Sequence, residues 1–324
     1  MKTNAPIILM PVFNDWTACS QLLDLVDGTL QSHGLSARVL LVDDGSTLDP
    51  PAALTTESHA ALESVQILPL RQNMGHQRAI AIGLSYVSEH FPDTSVVVMD
   101  SDGEDDPADV PRLLAKCTKE NNRKIVMAIR AKRSESLLFR LCYLGFKTLF
   151  RCLAGRRYQM GNFSVIPASQ LPRLVGNSGL WCHYAATVFR SRIPYVGLAT
   201  IRSKRLDGKS QMNFVSLVMH GFSAIAVYLD IASIRMMILC LLGVCLLGLV
   251  LAGIVVARFC TPLAIPNWAG MALAITLLLM GQLVSTTAVL TFLSLANRQS
   301  ETIVPIKVYK TYLAKDPLLP PPKA

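Results

Sequence analysis

Over the first 130 positions, apolar residues fall in short runs separated by polar, turn-rich stretches. Ile7–Val12 and the runs 39–42, 65–68, 96–99 and 125–128 have the length and β-branched content of buried strands. Between them, 17–33, 75–91 and 108–119 carry apolar residues at helical spacing. Short apolar strands alternating with helices predict an α/β fold with a mostly parallel, doubly wound sheet. Further along, 236–257 and 268–296 contain no charged residue. Each exceeds the ~20 residues that span a bilayer, so the chain is expected to carry two transmembrane helices. Two more stretches, Arg140 to Arg151 and Asn213 to Ile231, mix large apolar residues with basic or polar ones, as in amphipathic helices at a membrane interface.

Composition agrees with a partly lipid-embedded chain. Hydrophobic residues make up 51% and charged ones 16% of the 324 residues, against about 25% charged in ordinary soluble domains. The net charge of +9 suits an anionic membrane or a phosphate-bearing substrate. No basic run interleaved with aromatics points to nucleic acid. The eight cysteines form no C-x-x-C pair and the six histidines no metal-ligand spacing, which reads as a reducing compartment without a zinc site. The N-terminal apolar stretch is too short for a signal sequence. Basic residues cluster before the first uncharged run (Lys204, Arg205, Lys209, Arg235) and after the second (Arg298, Lys307, Lys310, Lys315, Lys323), whereas the loop between has only Arg258 at its edge. The positive-inside rule then puts both termini in the cytoplasm. The expected organisation is a cytosolic domain over 1–211, a juxtamembrane helix over 212–235, two spanning helices within 236–297 and a cytosolic tail over 298–324.

In parallel sheets, ligands bind beyond the carboxyl ends of the strands, and here those loops are acidic. Asn14-Asp15 follows the first strand, Asp43-Asp44-Gly45-Ser46 the second, and Asp100-Ser101-Asp102-Gly103-Glu104-Asp105-Asp106 the fourth. Clustered carboxylates repel unless a cation sits among them, and Mg²⁺ or Mn²⁺ typically takes one or two carboxylates plus substrate phosphates. In a strand continuing past Met99, alternation would aim Asp100 and Asp102 to the same side, ready to hold a metal on a diphosphate.

Taken together these residues resemble glycosyltransferase family 2, of GT-A fold, and within it the polyprenyl-phosphate glycosyltransferases of the dolichol-phosphate mannose synthase type. The opening Pro11-Val12-Phe13-Asn14-Asp15, the turn Val42-Asp43-Asp44-Gly45-Ser46, the helix entry Asn73-Met74-Gly75 with Ala79 and Gly83, the Asp100-Ser101-Asp102 pair and Arg205-Leu206-Asp207-Gly208-Lys209-Ser210 carry the likeness. The resemblance implies a nucleotide-sugar site (UDP- or GDP-linked) formed by Pro11, Phe13, Asp15, Asp43, Asp44, Asn73, Gly75, Arg78, Asp100 and Ser101. It implies a Mg²⁺ or Mn²⁺ site at Asp100 and Asp102, and catalytic roles for Asp102, Glu104 and Arg205. It also implies an inner-membrane enzyme, commonly a homo-oligomer. Lys209 and Ser210 would contact phosphate, and Arg130, Lys132, Arg133 and Arg140 are cations suited to an acceptor phosphate.

The chain departs from the family pattern at Glu104 (often Gln), at Gly161-Asn162-Phe163-Ser164 (often Gly-Asp-Phe-Arg) and at Gln211 (often Lys). Asn162 removes a possible base. A sugar hydroxyl acceptor needs a base, but a lipid phosphate is already ionised, so the expected reaction is inverting transfer to a polyprenyl phosphate. The alternatives are a glycolipid or polysaccharide synthase acting on a hydroxyl, which would usually carry Gln-x-x-Arg-Trp (not found here), and a non-catalytic membrane partner subunit.

Overall fold

The computed structural model describes residues 4–52, 54, 59–130, 145, 148, 150–153, 155, 160–201, 203–207, 214–260, 268–299 and 302–314. The chain divides into two compact units: Met1–Tyr143 with Tyr158–Val227 and Thr302–Ala324, and Leu144–Arg157 with Tyr228–Glu301.

The first unit is built on a seven-stranded sheet: β1 (Ile7–Val12), β2 (Ala37–Asp43), β3 (Leu62–Pro69), β4 (Val96–Val98), β5 (Ile125–Arg130), β6 (Met160–Ile166) and β7 (Tyr195–Thr200), in the order β3-β2-β1-β4-β6-β5-β7. β1, β2, β3 and β4 run parallel, as do β5 and β7. β6 is the exception, antiparallel to both β4 and β5. Its amino end therefore lies at the edge where β4 ends, a placement an all-parallel sheet would not give.

Every residue of β1 is buried, and alternate side chains enter opposite layers, as strand geometry requires. Ile7 and Leu9 pack with α2 (His76–His90), α4 (Leu171–Val175) and α5 (Tyr184–Arg190). Ile8, Met10 and Val12 pack with α1 (Trp16–Ser32) and α3 (Asp109–Lys119). Helix α1 turns Trp16, Cys19, Leu22, Leu23, Val26 and Leu30 onto the sheet at helical spacing. α6 (Phe214–Ala226) completes this unit. It buries Ala224 and Ile225 while Met219 and Phe222 are exposed.

On α1, Asp27 serves as a tie to β3. Its carboxylate accepts from the amides of Ala60 (3.2 Å), Ala61 (2.7 Å) and Leu62 (3.0 Å). Burial opposes ionisation, but the three amides and His59 hold its carboxyl below the ordinary carboxylate range. A carboxyl lowered in the folded state stabilises above its unfolded pKa and loses that effect as pH falls through the folded one. Asp27→Ala is expected to cost about 1–3 kcal/mol, read as a lower unfolding midpoint at pH 7, with the gap to the parent chain closing in acid.

In the second unit, α7 (Leu229–Cys260) and α8 (Trp268–Gln299) pack together, with Thr291 Oγ1 reaching Met237 Sδ at 3.8 Å. Both are long and apolar enough to cross a membrane. The uncharged run at 236–257 lies within α7, which starts earlier and takes in Asp230 and Arg235. Arg235 donates to the carbonyls of Cys152 (2.9 Å) and Leu153 (3.3 Å). The expected interface stretch at 140–151 falls largely outside the described residues.

The expected tail over 298–324 is reshaped as well. α9 (Pro305–Val308) and the turn after it join the first unit, and Tyr309 is fully buried in the α2 layer.

Candidate active site

The loops after β1, β2 and β4 meet at one edge because those strands are parallel and in register. Asn14 adopts φ +54°, which lets its side chain reach across to the second loop: Oδ1 accepts from the amides of Thr47 (2.8 Å) and Leu48 (3.1 Å). Its own amide donates to Ser46 Oγ at 2.9 Å. Asp43 closes the same turn by accepting from the Ser46 amide at 2.9 Å. Pro11 sits within β1 opposite Val42, and Phe13 directly follows the strand.

Asp44 is buried, and its two carboxylate oxygens accept from the amides of Met74 (2.7 Å) and Gly75 (2.9 Å). Gly45 has φ +72°, and a Cβ there would lie 2.6 Å from the Asn73 nitrogen. The second loop thus clasps Asn73-Met74-Gly75 through the Asp44 carboxylate and the close backbone approach at Gly45. Burial pushes the Asp44 carboxyl up to about 6, against the pull of those two amides. A carboxyl raised in the folded state stabilises fully below its unfolded value of about 4 and loses that effect as pH rises through about 6. Asp44→Asn, which keeps a neutral side chain of the same shape, is expected to remove this slope, so that the parent's unfolding free energy falls relative to the variant's as pH rises between these limits.

At β4 the expected strand alternation fails. The strand ends at Val98, and residues 101–103 form a turn with Gly103 at φ +80°. Asp100 and Asp102 consequently engage different partners. Asp100 Oδ1 lies 3.2 Å from His76 Nε2. Asp102 Oδ1 accepts from the Glu104 amide at 3.0 Å, and Oδ2 from Arg205 Nη1 at 3.1 Å. Ser101 is buried within the turn.

The 203–207 segment lies along this turn. The Leu206 amide donates to the Asp102 carbonyl (3.0 Å), and the Ser203 amide to the Glu104 carbonyl (2.9 Å). That pairing delivers Arg205, which bridges Asp102 and Asp15. Asp15, Asp102 and Arg205 thereby form one ionic cluster drawn from three distant parts of the chain.

His76, at the start of α2, joins the carboxylates. Its desolvation works against a charge, yet Asp100, Asp102 and Asp44 together raise its proton affinity above the ordinary imidazole value. All three acids therefore act on one ring and share one neighbourhood. Asn162 reaches His76 Nε2 through Nδ2 at 2.9 Å, and its Oδ1 accepts from Gln77 Nε2 at 3.3 Å. Gln77 is itself oriented by the Tyr184 amide, which donates to its Oε1 at 2.7 Å. The antiparallel register of β6, with Ser164 opposite Val98, brings Asn162 level with Asp100.

Arg78 lies two residues after His76 on α2, its guanidinium 5.7 Å from the centre of the Trp181 ring. Lys132, Arg133, Arg140, Lys209, Ser210 and Gln211, together with the Arg130 side chain, lie outside the described residues.

Among the described residues, no three His, Cys, Asp or Glu side chains form a ready metal cage. Asp100 and Asp102 are half-buried hard oxygen donors, matching a cation that takes one or two carboxylates and completes its shell with substrate phosphate and water.

A sheet that gathers a buried aspartate turn, a second acidic turn and an arginine at the carboxyl ends of its parallel strands has the GT-A architecture of nucleotide-sugar enzymes. The sequence profile described as glycosyl transferase family 2 matches residues 7–174, and the chain belongs to that family. An undecaprenyl-phosphate 4-deoxy-4-formamido-L-arabinose transferase from Klebsiella pneumoniae subsp. pneumoniae is 25% identical over 229 residues, 67% of each chain. Its counterpart from K. pneumoniae strain 342 gives the same figures. Among solved structures, glucosyl-3-phosphoglycerate synthase from Mycobacterium tuberculosis, in complex with Mn²⁺, UDP and phosphoglyceric acid, aligns with 71% of this chain and 80% of its own, at 18% identity and a TM-score of 0.48.

Proposed function

We propose that this glycosyltransferase moves a sugar from a UDP- or GDP-linked donor to a polyprenyl phosphate at the cytoplasmic face of the inner membrane, with inversion at the anomeric carbon. The observation that carries this reading is the convergence of Asp15, Asp44, Asp100, Asp102 and Arg205 at one sheet edge, in a chain that also has two long apolar helices. The similarity to undecaprenyl-phosphate sugar transferases supports the acceptor class.

In this reading the loops carrying Phe13, Asp15, Asp44 and Asn73 bind base and ribose. Asp102, with Asp100, holds Mg²⁺ or Mn²⁺, which when bound neutralises charge on the departing nucleoside diphosphate. Arg205 moves from the carboxylates to the diphosphate and stabilises the same charge. The acceptor phosphate oxygen is ionised and attacks without surrendering a proton, so Asn162 in place of a carboxylate carries no penalty. Arg130, Arg133, Arg140, Lys209 and Ser210 are the proposed acceptor-phosphate contacts, and Glu104 tunes the charge beside Asp102.

Two crossings with both termini cytosolic are part of this reading. The basic flanks of α7 and α8 and the grouping of residues before and after them in one compact unit support it. The exposed Met219 and Phe222 of α6 suit an apolar interface.

The test is to incubate the purified full-length protein with a panel of nucleotide sugars, Mg²⁺ or Mn²⁺ and undecaprenyl phosphate, and to weigh the lipid product. A glycosyl phosphoryl lipid of inverted configuration is expected. Transfer only to glycolipid hydroxyls, or no transfer with any donor, would refute the assignment.

A further inference from the structure

Residues 302–314 follow α8 in the chain, yet they bury Tyr309 and Leu313 in the sheet unit. They pack where the sheet is open, since β3 is an edge strand and edge strands leave backbone groups to be satisfied. The Ala314 amide donates to the Pro69 carbonyl and the Arg71 amide to the Tyr312 carbonyl, both at 2.9 Å, forming an antiparallel bridge between Leu70 and Leu313. Arg71 Nε adds a bond to the Leu313 carbonyl at 2.7 Å. The Tyr312 ring lies 5.2 Å from Trp181. Tyr309 donates to Glu89 Oε2 at 2.6 Å, and Lys310 pairs with the same carboxylate.

The bonds at Pro69, Leu70 and Arg71 hold one flank of the loop running from Pro69 to Gly75, while Tyr309, Lys310 and Tyr312 fix the segment to Glu89 and Trp181. The opposite flank is held by Asp44, through the Met74 and Gly75 amides, and by the close backbone approach at Gly45. The loop is thus clamped between the acidic turn after β2 and the segment that follows α8.

We propose that residues 304–314 are a positioning strap for the nucleoside-diphosphate site, so that donor affinity depends on a segment encoded beyond both apolar helices. The inference rests on the reading of the Asp44 turn and the Asn73–Gly75 loop as that site. Ordering a loop costs conformational entropy. Without the strap that cost falls on the nucleotide, and a loop competent about a tenth of the time weakens apparent affinity about tenfold.

Three full-length proteins in detergent (the parent chain, Arg71→Ala and Tyr312→Ala) are compared with a chain ending at residue 300. UDP and GDP binding with Mn²⁺ is measured by calorimetry, and amide exchange is followed at 70–75 and in β1. Truncation is expected to weaken nucleotide binding about tenfold or more and to speed exchange at 70–75 while β1 stays protected. Each point variant should do the same in part, and a synthetic peptide of residues 302–314 should restore both properties. Unchanged affinity together with unchanged protection at 70–75 would overturn the strap. Should truncation expose β1 as well, the two point variants decide by the same criteria. A parent chain that binds neither UDP nor GDP would overturn the nucleotide reading instead, and exchange at 70–75 then decides the strap alone.

Discussion

Asp102→Asn is expected to lower turnover about 10³-fold, the equivalent of ~4 kcal/mol in the barrier, with the protein still folded and membrane-bound. The substitution keeps the shape of the side chain and an acceptor for the Glu104 amide, which Asp102 Oδ1 binds at 3.0 Å. It removes the negative charge that faces Arg205 across 3.1 Å. The turn itself is held by backbone pairing, with the Leu206 amide on the Asp102 carbonyl and the Ser203 amide on the Glu104 carbonyl. Folding therefore does not depend on the charge, and the unfolding midpoint should move little. Raising Mn²⁺ should recover part of the loss if the carboxylate holds the cation. Parent-like turnover at every Mn²⁺ concentration would show that Asp102 has no part in transfer.

The regular part of this fold is legible because burial on both faces writes it into the sequence. β1 to β5 appear as apolar runs, and α1, α2 and α3 as periodic stretches, with boundaries within a few residues. β6 and β7 are not. β6 carries Asn162 and Ser164 on inward positions, where hydrogen bonds to Gln77 and Tyr184 replace apolar packing. β7 lies at the sheet edge with most of its residues only partly covered. The segment at 305–313 looks like scattered apolar residues in a basic tail, and its anchor, Glu89, is 220 positions from Tyr309.

The same distinction governs the site. The acidic loops could be found because parallel strands put their carboxyl ends on one edge. The partners could not, since Arg205 meets Asp15 across 190 positions. The alternation expected of Asp100 and Asp102 does not hold because β4 ends at Val98, before either residue. His76 is marked in the sequence only by its place directly after the Asn73-Met74-Gly75 helix entry, because its tie to Asp100 is a contact the sequence does not show.

Arg205→Ala should separate two effects that a simple loss of activity would merge. Turnover is expected to fall about 10²–10³-fold, as when one donor to a developing anion is removed. Binding of Mn²⁺ without nucleotide should instead tighten. In the free enzyme the guanidinium occupies the carboxylates of Asp15 and Asp102, so an incoming cation must displace it. Without Arg205 the two acids face each other uncompensated, and their mutual repulsion favours any cation that relieves it. Arg205→Lys should fall between, because a single ammonium cannot span both carboxylates as a planar fork does. Titration of Mn²⁺ by electron paramagnetic resonance, beside steady-state turnover, reads both quantities on the same preparations. Equal Mn²⁺ affinity in parent and Arg205→Ala would mean that the guanidinium and the metal do not compete for Asp102. The arginine would then act on the diphosphate from a position it holds throughout, rather than by exchanging a carboxylate for a phosphate when the donor arrives.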